Sequence, residues 1–429
     1  MKHVIVGSGV AGVTAAQSIV RADADAQVHL LGEESFPYYR RPMLWEFISG
    51  QVTEEEVYFR PLDWYAEQGI HIHLSTQVTA LDPEAHCLTL SDGAAVQYDR
   101  LLLATGARSF IPPCQGTDKV GVFTLRTLED ARAIKAYAQN VATAVVIGGG
   151  LLGLETARAL HTAGLDVTVV EFYDYLLPRQ LDAEGAQVLE SLLEGQGLHI
   201  VTGGVTEAIL GEERVAGIQL QDERTIPGEL VLFSTGIQSE TTVAQAAGIH
   251  VNRGIVVDEE LRTSAEDVWA AGDVAEFEGR VYGIIPPAIE QARIAAANMV
   301  TPGLTPLGGT EYYNKARIAE ANMVTPGSAA YAGTIPSTTL KVAGAELMSL
   351  GECTVENSQV VPLRRVDAKG GRYRKLALRD GCIVGAILLN DQERTQAIQQ
   401  LIERKIDVSA NADHLLDDAF DLKSLFQRG

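Results

Sequence analysis

The sequence predicts an α/β fold in which two Rossmann-like dinucleotide-binding domains, one inserted in the other, are followed by a C-terminal α+β domain. Three observations predict this fold class. A G-x-G-x-x-G motif follows an apolar strand at two places, two strands end in the same Thr-Gly pattern, and short strands replace the β–α–β pattern after about residue 336. A chain of 429 residues also exceeds one ordinary hydrophobic core.

The most complete motif spans residues 143–171, where an apolar strand, an alanine- and leucine-rich helix and a second apolar strand follow one another. Gly148, Gly150 and Gly153 have the spacing of a dinucleotide fingerprint. In that fingerprint the first glycine permits a tight turn, the second lets the backbone approach a pyrophosphate, and the third lets helix and strand pack closely. The N-terminus of the helix would then face the phosphates with free N–H groups.

Glu171 ends the second strand of this motif, 23 positions after Gly148. A carboxylate there can accept hydrogen bonds from an unsubstituted ribose and would repel a 2′-phosphate. No Arg or Lys occurs between Glu171 and Arg179. The sequence therefore predicts NADH rather than NADPH as the ligand of this domain.

A second fingerprint lies at the start of the chain, where Gly7, Gly9 and Gly12 follow a short apolar strand. Val10 and Ala11, which open the following helix, are also candidate cofactor-binding residues. Two fingerprints in one chain imply two nucleotide cofactors.

The first fingerprint departs from the usual pattern at the ribose position. Gly32 stands where an acidic residue would hold the ribose, and Glu33 and Glu34 follow it. These two acids either take over the ribose contact or are solvated loop residues, and the sequence leaves both readings open.

The segment at residues 36–48 combines aromatic and basic residues, and Pro37 and Pro42 mark it as a loop that enters a helix. Such side chains can cover a flavin ring and pair with its phosphates, so Arg41 and Pro42 are candidates for that contact. The alternative is a packed aromatic loop.

Two strand ends indicate that one domain interrupts the other. LLLATG, ending in Ala104, Thr105 and Gly106, is echoed by LVLFSTG, which ends at Gly236. The first domain would then resume and reach VWAAGD, where Gly272 and Asp273 close a strand. Asp273 would contact the ribitol hydroxyls of FAD, and the alternative is a structural turn.

An alanine-rich helix is predicted to begin near Ile285, Pro286 and Pro287, because proline suits a first helical turn. Its N-terminus would stabilise negative charge on a reduced flavin. The segment at 292–303 recurs almost unchanged at 316–327, which indicates a local duplication. We expect the first copy to continue the helix.

The segment Arg364–Arg379 in the C-terminal domain carries seven cationic side chains against one acid, Asp367, in a chain of net charge −22. It is either a docking patch for an acidic partner or a solvated face. The overall negative charge argues against nucleic acid or an anionic membrane as the main partner.

The remaining composition indicates a cytoplasmic protein without a metal site. The four cysteines are far apart, no C-x-x-C occurs, and no apolar run reaches the ~18 residues of a transmembrane helix. The N-terminus reads as a first strand and not as a signal peptide. The sequence leaves the oligomeric state open.

The motifs occur in the order GSGVAG, PYYRRPML, LLLATGARSFIPP, VVIGGGLLGLE, RQLD, NRGIVVD, LRTS and AAGDVAE. In this order the chain resembles the FAD-dependent pyridine-nucleotide oxidoreductases. It is most similar to the NADH:rubredoxin reductases and to the flavin half of NADH-dependent nitrite reductases. The resemblance covers almost the whole chain, except the duplicated segment.

The resemblance implies site residues by motif. For FAD they are Gly7, Gly9, Gly12, Arg41, Pro42, Val78, Thr105, Gly106, Arg108 and Asp273. For NADH they are Gly148, Gly150, Leu151, Gly153, Glu171 and Gly236. Glu155 resembles the family's acid near the nicotinamide–flavin contact, and Lys341 resembles a lysine that approaches the flavin from the C-terminal domain.

The chain departs from the family in two respects. The cysteines of disulfide reductases, NADH oxidases and peroxidases are missing from the expected positions, so thiol chemistry is not expected. Some relatives carry a lysine where Glu46 stands, which puts an ion pair between that position and Glu155 in doubt.

We therefore expect four segments: residues 1–117 and 239–335 for FAD, 118–238 for NADH, and 336–429 as the α+β domain. The protein would take a hydride from NADH onto FAD and pass electrons to a small acidic iron protein such as rubredoxin. The alternatives are electron input for nitrite reduction, an NADH oxidase, and a non-catalytic NADH-sensing flavoprotein.

Overall fold

The computed structural model describes residues 1–300, 330–334, 337–342, 345–354, 359–367 and 369–428. The second copy of the duplicated segment, at 316–327, lies outside the described residues.

The described residues form α-helices and β-strands, and several runs of strands follow one another without a helix between them. The strands are β1 (Lys2–Val6), β2 (Gln27–Leu31), β3 (Ile70–His73), β4 (Val78–Asp82), β5 (Cys87–Leu90), β6 (Ala95–Gln97), β7 (Arg100–Leu103), β8 (Ala107–Ser109), β9 (Val122–Thr124), β10 (Thr143–Ile147), β11 (Asp166–Val170), β12 (His199–Val201), β13 (Thr206–Leu210), β14 (Gly217–Leu220), β15 (Thr225–Pro227), β16 (Leu230–Phe233), β17 (Ile237–Ser239), β18 (Ile255–Val257), β19 (Val268–Ala270), β20 (Ala275–Phe277), β21 (Ser337–Val342), β22 (Ala345–Gly351), β23 (Val361–Asp367), β24 (Arg372–Arg379) and β25 (Cys382–Leu389). The α-helices are α1 (Val10–Ala22), α2 (Leu44–Ile48), α3 (Glu54–Val57), α4 (Leu62–Glu67), α5 (Leu128–Ala138), α6 (Leu151–Thr162), α7 (Ala183–Glu194), α8 (Thr242–Ala246), α9 (Ile285–Val300) and α10 (Thr395–Glu403).

The chain divides into two compact units. The first unit comprises Met1–Arg41, Thr53–Arg108 and Ile237–Thr334, and the second comprises Pro42–Val52, Ser109–Gly236 and Ile335–Gly429. The C-terminal sheet is therefore grouped with the segment that carries the second fingerprint.

The first unit is built on a parallel sheet with strand order β19-β7-β1-β2-β3. β19 comes after residue 236 in the chain, yet it pairs with β7, which precedes residue 109. Residues on both sides of the central segment thus form one sheet. This topology confirms the predicted fold class, with one nucleotide-binding domain inserted in the other.

Helices α1 and α9 pack against each other in the first unit through small side chains. Ala15 and Ala16 on α1 and Ala292 and Ala295 on α9 are completely buried. Small residues let two helix axes approach closely. Because α9 runs without interruption from Ile285 to Val300, residues 292–300 of the first copy continue this helix as expected, and residues 301–303 lie outside the described residues.

The second unit contains another parallel sheet, with strand order β12-β11-β10-β16-β9. All four residues of β16 and the last four of β10 are buried, because helices and the small β13-β14-β15 sheet cover the parallel strands. Helix α6 packs on β10 and β11 and completes the predicted β–α–β motif.

The C-terminal part of the second unit is an antiparallel sheet with strand order β21-β22-β25-β24-β23. Helix α10 packs against β25 and buries Ile398 and Leu401 in a separate core. This arrangement matches the expected α+β domain.

The basic segment Arg364–Arg379 is not a free positive surface. Arg374 and Lys375 are only 3% and 1% exposed, and within the described residues every cation of the segment except Lys369 forms an ion pair. The interpretation of this segment as a docking patch required unpaired positive charges on the surface, and most of these charges are instead paired with acids. The ion pairs join Arg364 to Asp182 and Glu184, Arg365 to Asp417 and Asp418, Arg372 to Asp418, Arg374 to Asp391 and Asp418, Lys375 to Asp182, and Arg379 to Glu352.

Asp182, in the RQLD motif, links the C-terminal sheet to α7. Its Oδ2 lies 2.9 Å from the Lys375 Nζ and accepts a 2.7 Å hydrogen bond from the Tyr373 hydroxyl. Its Oδ1 accepts the backbone N–H of Gly185 and so caps α7. Burial alone would raise the pKa of Asp182, but the hydrogen bonds from Lys375 and Tyr373 hold that pKa below its usual value.

No helix in the described part of the chain is both long and apolar enough to cross a lipid bilayer.

We predict that Asp182→Asn lowers the free energy of unfolding by about 3 kcal/mol, because the buried Lys375 loses a counter-charge while asparagine still caps α7. Urea unfolding would measure this change. Asp222→Asn is the matched control, since Asp222 pairs with Arg224 on an exposed turn and its loss should have little effect. Equal effects of the two substitutions would contradict the proposed role of Asp182.

Candidate functional site

The first fingerprint forms a tight turn between β1 and α1. Gly7 has φ +111°, and a Cβ there would overlap the carbonyl oxygen of Ala104 at the end of β7. A Cβ on Gly12 would overlap the carbonyl oxygen of Gly7. Around Gly9, by contrast, no atom lies within 4 Å of the position a Cβ would take. The turn is therefore closed at its first and third glycines, where no side chain fits, and open at its second, where free space remains.

The second fingerprint repeats this geometry between β10 and α6. A Cβ on Gly148, which has φ +115°, would overlap the carbonyl oxygen of Ser234, and one on Gly153 would overlap that of Gly148. Gly150 again has no neighbour within 4 Å of its Cβ position and forms the N-cap of α6. Each second glycine leaves free space at a helix N-terminus, which is the cradle that a pyrophosphate requires.

Glu171 lies at the end of β11, beside the second fingerprint. Its Oε2 accepts the N–H of Gly149 at 2.6 Å and its Oε1 accepts the N–H of Tyr173 at 2.9 Å. The side chain is therefore held in one position, and the residue is only 6% exposed. A fixed carboxylate retains further acceptor capacity toward a ribose hydroxyl and repels a phosphate.

The corresponding position of the first fingerprint is different. A Cβ on Gly32 would lie 2.5 Å from the Ser8 Oγ, so that side chain occupies the place of the acid. Glu33 is exposed and accepts a hydrogen bond from Gln77. Glu34 accepts hydrogen bonds from the Tyr39 hydroxyl and from Arg41 at 3.0 Å. The structure brings Glu34, and not Glu33, together with Arg41.

Arg41 lies near two acidic groups of the first unit. Burial opposes its charge, but Tyr39, Glu34 and Asp273 raise the pKa of Arg41 above its usual value. Pro42 follows directly, in an exposed position of the 3₁₀ turn Arg41–Met43. The guanidinium therefore remains charged beside Asp273, as a phosphate contact requires.

The turn that carries Asp273 packs on the first fingerprint. A Cβ on Gly272, which has φ +86°, would lie 3.0 Å from the Cβ of Ala11 in α1. The N–H of Gly272 donates to the Oε1 of Gln291 on α9, and the carbonyl of Asp273 accepts the Ser239 hydroxyl. The Cβ position of Gly272 also lies 3.8 Å from Ala288 on α9, so the first turns of α1 and α9 both lie beside this turn. Val10 and Ile285 are the first residues of these two helices.

The Thr-Gly strand end after β7 is fixed by Glu240. The Thr105 hydroxyl donates to the carbonyl of Glu240 at 2.7 Å, and the N–H of Glu240 donates to the carbonyl of Gly106. Arg108 lies 3.6 Å from the Glu240 carboxylate and is largely exposed. Ala104 touches Gly7 directly, whereas Val78 is buried in β4.

Glu155 and Glu46 lie on two helices of the second unit that pack against each other. Glu155 lies on α6 and Glu46 on α2, and both are half-buried. Burial, and then the negative charge of Glu46, raise the pKa of Glu155 to about 7. Lys341 lies in β21, but its side chain is outside the described residues.

Gly236 and Leu151 occupy the predicted places in the second unit. Gly236 follows β16 with φ +108°, and Leu151 is the first residue of α6. In the described residues, His, Cys, Asp and Glu form no group of three that could hold a metal ion.

Sequence reasoning missed several supporting residues. Ser234 provides the carbonyl that closes the turn at Gly148, and Gln291 holds the Gly272 turn. Only Ser234 had a usable signal, because it stands in LVLFSTG directly after an apolar strand.

Comparison with known families gives one match for each part of the chain. Residues 1–298 match the pyridine nucleotide-disulphide oxidoreductase family, and residues 336–406 match the rubredoxin NAD+ reductase C-terminal domain. The chain belongs to the pyridine nucleotide-disulphide oxidoreductase family. FAD and NAD(H) are the cofactors of this family.

Individual relatives differ in length. The chain is 34% identical over 408 residues to nitrite reductase [NAD(P)H] of Bacillus subtilis, covering 95% of this chain and 48% of that protein. It is 31% identical to NADH-dependent phenylglyoxylate dehydrogenase subunit epsilon of Aromatoleum evansii, covering 95% and 93%. It is 32% identical to rubredoxin-NAD(+) reductase of Pseudomonas putida, covering 71% and 82%. The chain spans less than half of the first curated relatives it matches.

Solved structures show the same fold over the full chain. The structure of the covalent putidaredoxin reductase–putidaredoxin complex superimposes with a TM-score of 0.84 at 27% identity, covering 99% of this chain and 98% of that chain. NADH:rubredoxin oxidoreductase from Clostridium acetobutylicum gives a TM-score of 0.75 at 25% identity, covering 99% of both.

We predict that alanine at the second glycine of each fingerprint weakens the binding of one cofactor without unfolding the chain. Alanine accepts the extended, negative-φ backbone of both positions, so both variants should fold. Because the added methyl group fills the space for the pyrophosphate, Gly9→Ala should lose FAD, while Gly150→Ala should keep FAD and bind NADH about tenfold or more weakly. Absorbance of released flavin and NADH titration measure the two effects. Gly153→Ala, which would overlap the Gly148 carbonyl, is the misfolding reference. Loss of FAD from Gly150→Ala would show that the cofactor assignment is wrong.

We further predict that Glu171→Gln narrows the preference for NADH over NADPH by roughly tenfold, because it removes the charge that repels a 2′-phosphate. The ratio of kcat/KM for the two nucleotides measures this preference. Glu207→Gln, at an exposed position of β13, removes the same charge elsewhere in the second unit and should leave the ratio unchanged. A wild-type ratio near one would show that Glu171 does not contact the ribose.

Proposed function

We propose that this protein is an FAD-dependent oxidoreductase that oxidises NADH and passes the electrons to a small iron protein of the rubredoxin type. The observation that carries the proposal is the presence of two separate cradles, each closed at its first and third glycines and open at its second, in a chain whose C-terminal part matches the rubredoxin NAD+ reductase domain.

The FAD-binding residues in this proposal lie in the first unit. The open backbone at Gly9 and the N-terminus of α1 would receive the pyrophosphate, together with Arg41. Asp273, on the turn held by Gln291, would accept the ribitol hydroxyls. Thr105 and Gly106, fixed by Glu240, would line the same cofactor.

NADH would bind the second fingerprint. Gly150 and Leu151 open α6 for the pyrophosphate, Glu171 would accept the ribose hydroxyls, and Gly236 leaves space at the strand end after β16. When bound, the two cofactors would supply the redox chemistry, which is hydride transfer from NADH to FAD and electron transfer to the acceptor. The chain binds and orients both nucleotides and controls the charge beside them.

A second candidate is the flavin subunit of a larger NADH-dependent dehydrogenase. The supporting observation is the length of the relatives. The match to phenylglyoxylate dehydrogenase subunit epsilon covers 93% of that subunit, whereas the match to nitrite reductase covers only 48% of that protein. In that case the acceptor would be a partner subunit and not a free carrier protein.

As part of the same proposal, we place the protein in the cytoplasm. The proposal also includes the predicted domain boundaries and the approach of Lys341 to the flavin. Cys87, Cys114, Cys353 and Cys382 are free thiols, which fits a reducing compartment that supplies NADH.

The test is anaerobic stopped-flow measurement of NADH-dependent reduction of a rubredoxin, an artificial dye and, separately, oxygen. We expect rubredoxin reduction with a second-order rate constant in the range of about 10⁵–10⁷ M⁻¹s⁻¹. Gly150→Ala, reduced chemically and not by NADH, should still reduce rubredoxin. Dye reduction without rubredoxin reduction would favour the subunit candidate, rapid oxygen reduction would favour an oxidase, and NADH binding without turnover would identify a sensor.

A further inference from the structure

Two exposed aromatic side chains follow Glu171 directly in the second unit. Phe172 is 60% exposed and Tyr173 is 55% exposed. Their rings meet edge to face, with centroids 5.2 Å apart and planes at 88°. Water therefore covers most of the apolar surface of both rings, and a ligand that replaced this water would gain binding free energy.

The loop that carries these rings is held against the turn of the second fingerprint. At the start of the loop, Glu171 accepts the N–H of Gly149 at 2.6 Å. At its end, the N–H of Leu177 donates to the Gly149 carbonyl at 3.2 Å. The side chain of Leu176 packs so closely on Gly149 that a Cβ there would lie 2.5 Å from its Cδ2. The loop therefore lies beside the open cradle at the N-terminus of α6.

The backbone of Tyr173 is fixed on both sides. Its N–H donates to the Oε1 of Glu171 at 2.9 Å, and its carbonyl accepts the N–H of Gly203 at 2.8 Å. The carboxylate that we expect to bind a ribose thus also sets the position of the aromatic pair. Because the loop is already ordered, little conformational freedom is lost when a ligand covers the rings.

The position of Glu171 defines which part of a dinucleotide would lie beside the pair. In a dinucleotide fingerprint the acid at the end of the second strand accepts the 2′-hydroxyl of the adenosine ribose. Adenine is bonded to the neighbouring carbon of that sugar, so the base is confined to a few ångströms around the Glu171 carboxylate, which the Tyr173 N–H contacts. A purine has two flat faces that stack on aromatic rings.

We propose that Phe172 and Tyr173 bind the adenine base of NADH, with the base stacked on the exposed face of Phe172 and with Tyr173 in contact with the same ring. The inference rests on the proposed function, because it requires NADH at the second fingerprint. Stacking at the adenine end is the same in the ground state and in the transition state, so it contributes affinity and does not change the hydride step. The pair therefore favours donors that carry a purine over a shortened donor that has only the nicotinamide nucleotide.

The first test is isothermal titration calorimetry of the FAD-loaded protein, in which the first fingerprint is occupied. The probe is ADP-ribose, which contains the adenine, both riboses and the pyrophosphate of NADH but no nicotinamide. We expect ADP-ribose to bind the wild type and to bind Phe172→Ala about tenfold more weakly, because the base loses its stacking partner. Tyr173→Ala should weaken binding in the same direction.

Steady-state kinetics with two hydride donors provide the second test. For Phe172→Ala we expect the KM for NADH to rise about tenfold with kcat unchanged, as the loss of uniform binding requires. Reduced nicotinamide mononucleotide lacks the adenosine half of NADH, so its KM should be the same in this variant and in the wild type. A general disturbance of the second unit would instead weaken both donors.

Three further variants separate stacking from other effects. Phe172→Tyr keeps a flat ring and should bind ADP-ribose like the wild type, whereas Phe172→Leu keeps an apolar side chain without a flat face and should bind it more weakly. The matched control is Val361→Ala on β23, which removes a side chain of equal exposure elsewhere in the second unit and should have no effect. Retention of FAD and an unchanged urea midpoint confirm that each variant is folded.

The inference is overturned if Phe172→Ala binds ADP-ribose like the wild type, if Phe172→Leu does so, or if Phe172→Ala weakens NADH and the mononucleotide equally. These outcomes leave the proposed function intact, provided that NADH still reduces the flavin. If neither NADH nor the reduced mononucleotide reduces the flavin of the wild type, the proposed function itself fails, and this inference fails with it.

Discussion

Contact between backbone atoms at the two glycine turns is the constraint on which the rest of this structure depends. At Gly148 and Gly153 a hydrogen atom is all that fits against the neighbouring carbonyl oxygens. This contact holds the strand β10, the strand end after β16 and the helix α6 in one fixed arrangement. The same contact at Gly7 and Gly12 fixes β1, β7 and α1. The helix N-termini, the free space beside them and the acids at the strand ends all take their positions from these turns.

The chain is strongly acidic, and its carboxylates occur in different surroundings. Around the C-terminal sheet, acids neutralise buried or half-buried cations, as Asp182 does for Lys375 and Asp391 does for Arg374. Near the second fingerprint, Glu171 is fixed by two backbone N–H groups, whereas the pKa of Glu155 is raised by burial and by the charge of Glu46. Net charge alone therefore says little about which surfaces attract a partner.

Local patterns in the sequence predicted most of the fold. Both β–α–β motifs, the interrupted first domain, α9 and the C-terminal sheet were predicted because apolar periodicity and glycine spacing are local signals. Helices α5 and α7 were missed, although Thr127 with Asp130 and Asp182 are capping residues that mark their beginnings.

Long-range ion pairing could not be predicted from the same patterns. The run of cations after Leu363 suggested a surface segment, but β23 continues to Asp367 by pairing with β24, and its cations meet acids far away in the chain. The ion pair of Glu34 with Arg41 and the packing of α2, which carries Glu46, on α6, which carries Glu155, likewise depend on tertiary structure. The assigned roles of the site residues remain predictions.

The contacts of Asp182 affect how the second unit unfolds locally. One carboxylate both begins α7 and satisfies a lysine inside the C-terminal sheet, so neither element can separate without disturbing the other. Amide protons of α7 and of β24 should therefore exchange with solvent at similar rates, as members of one cooperative unit that crosses the boundary between the two matched families. We therefore expect that the boundary between the two family matches is not a boundary of cooperative unfolding in this chain.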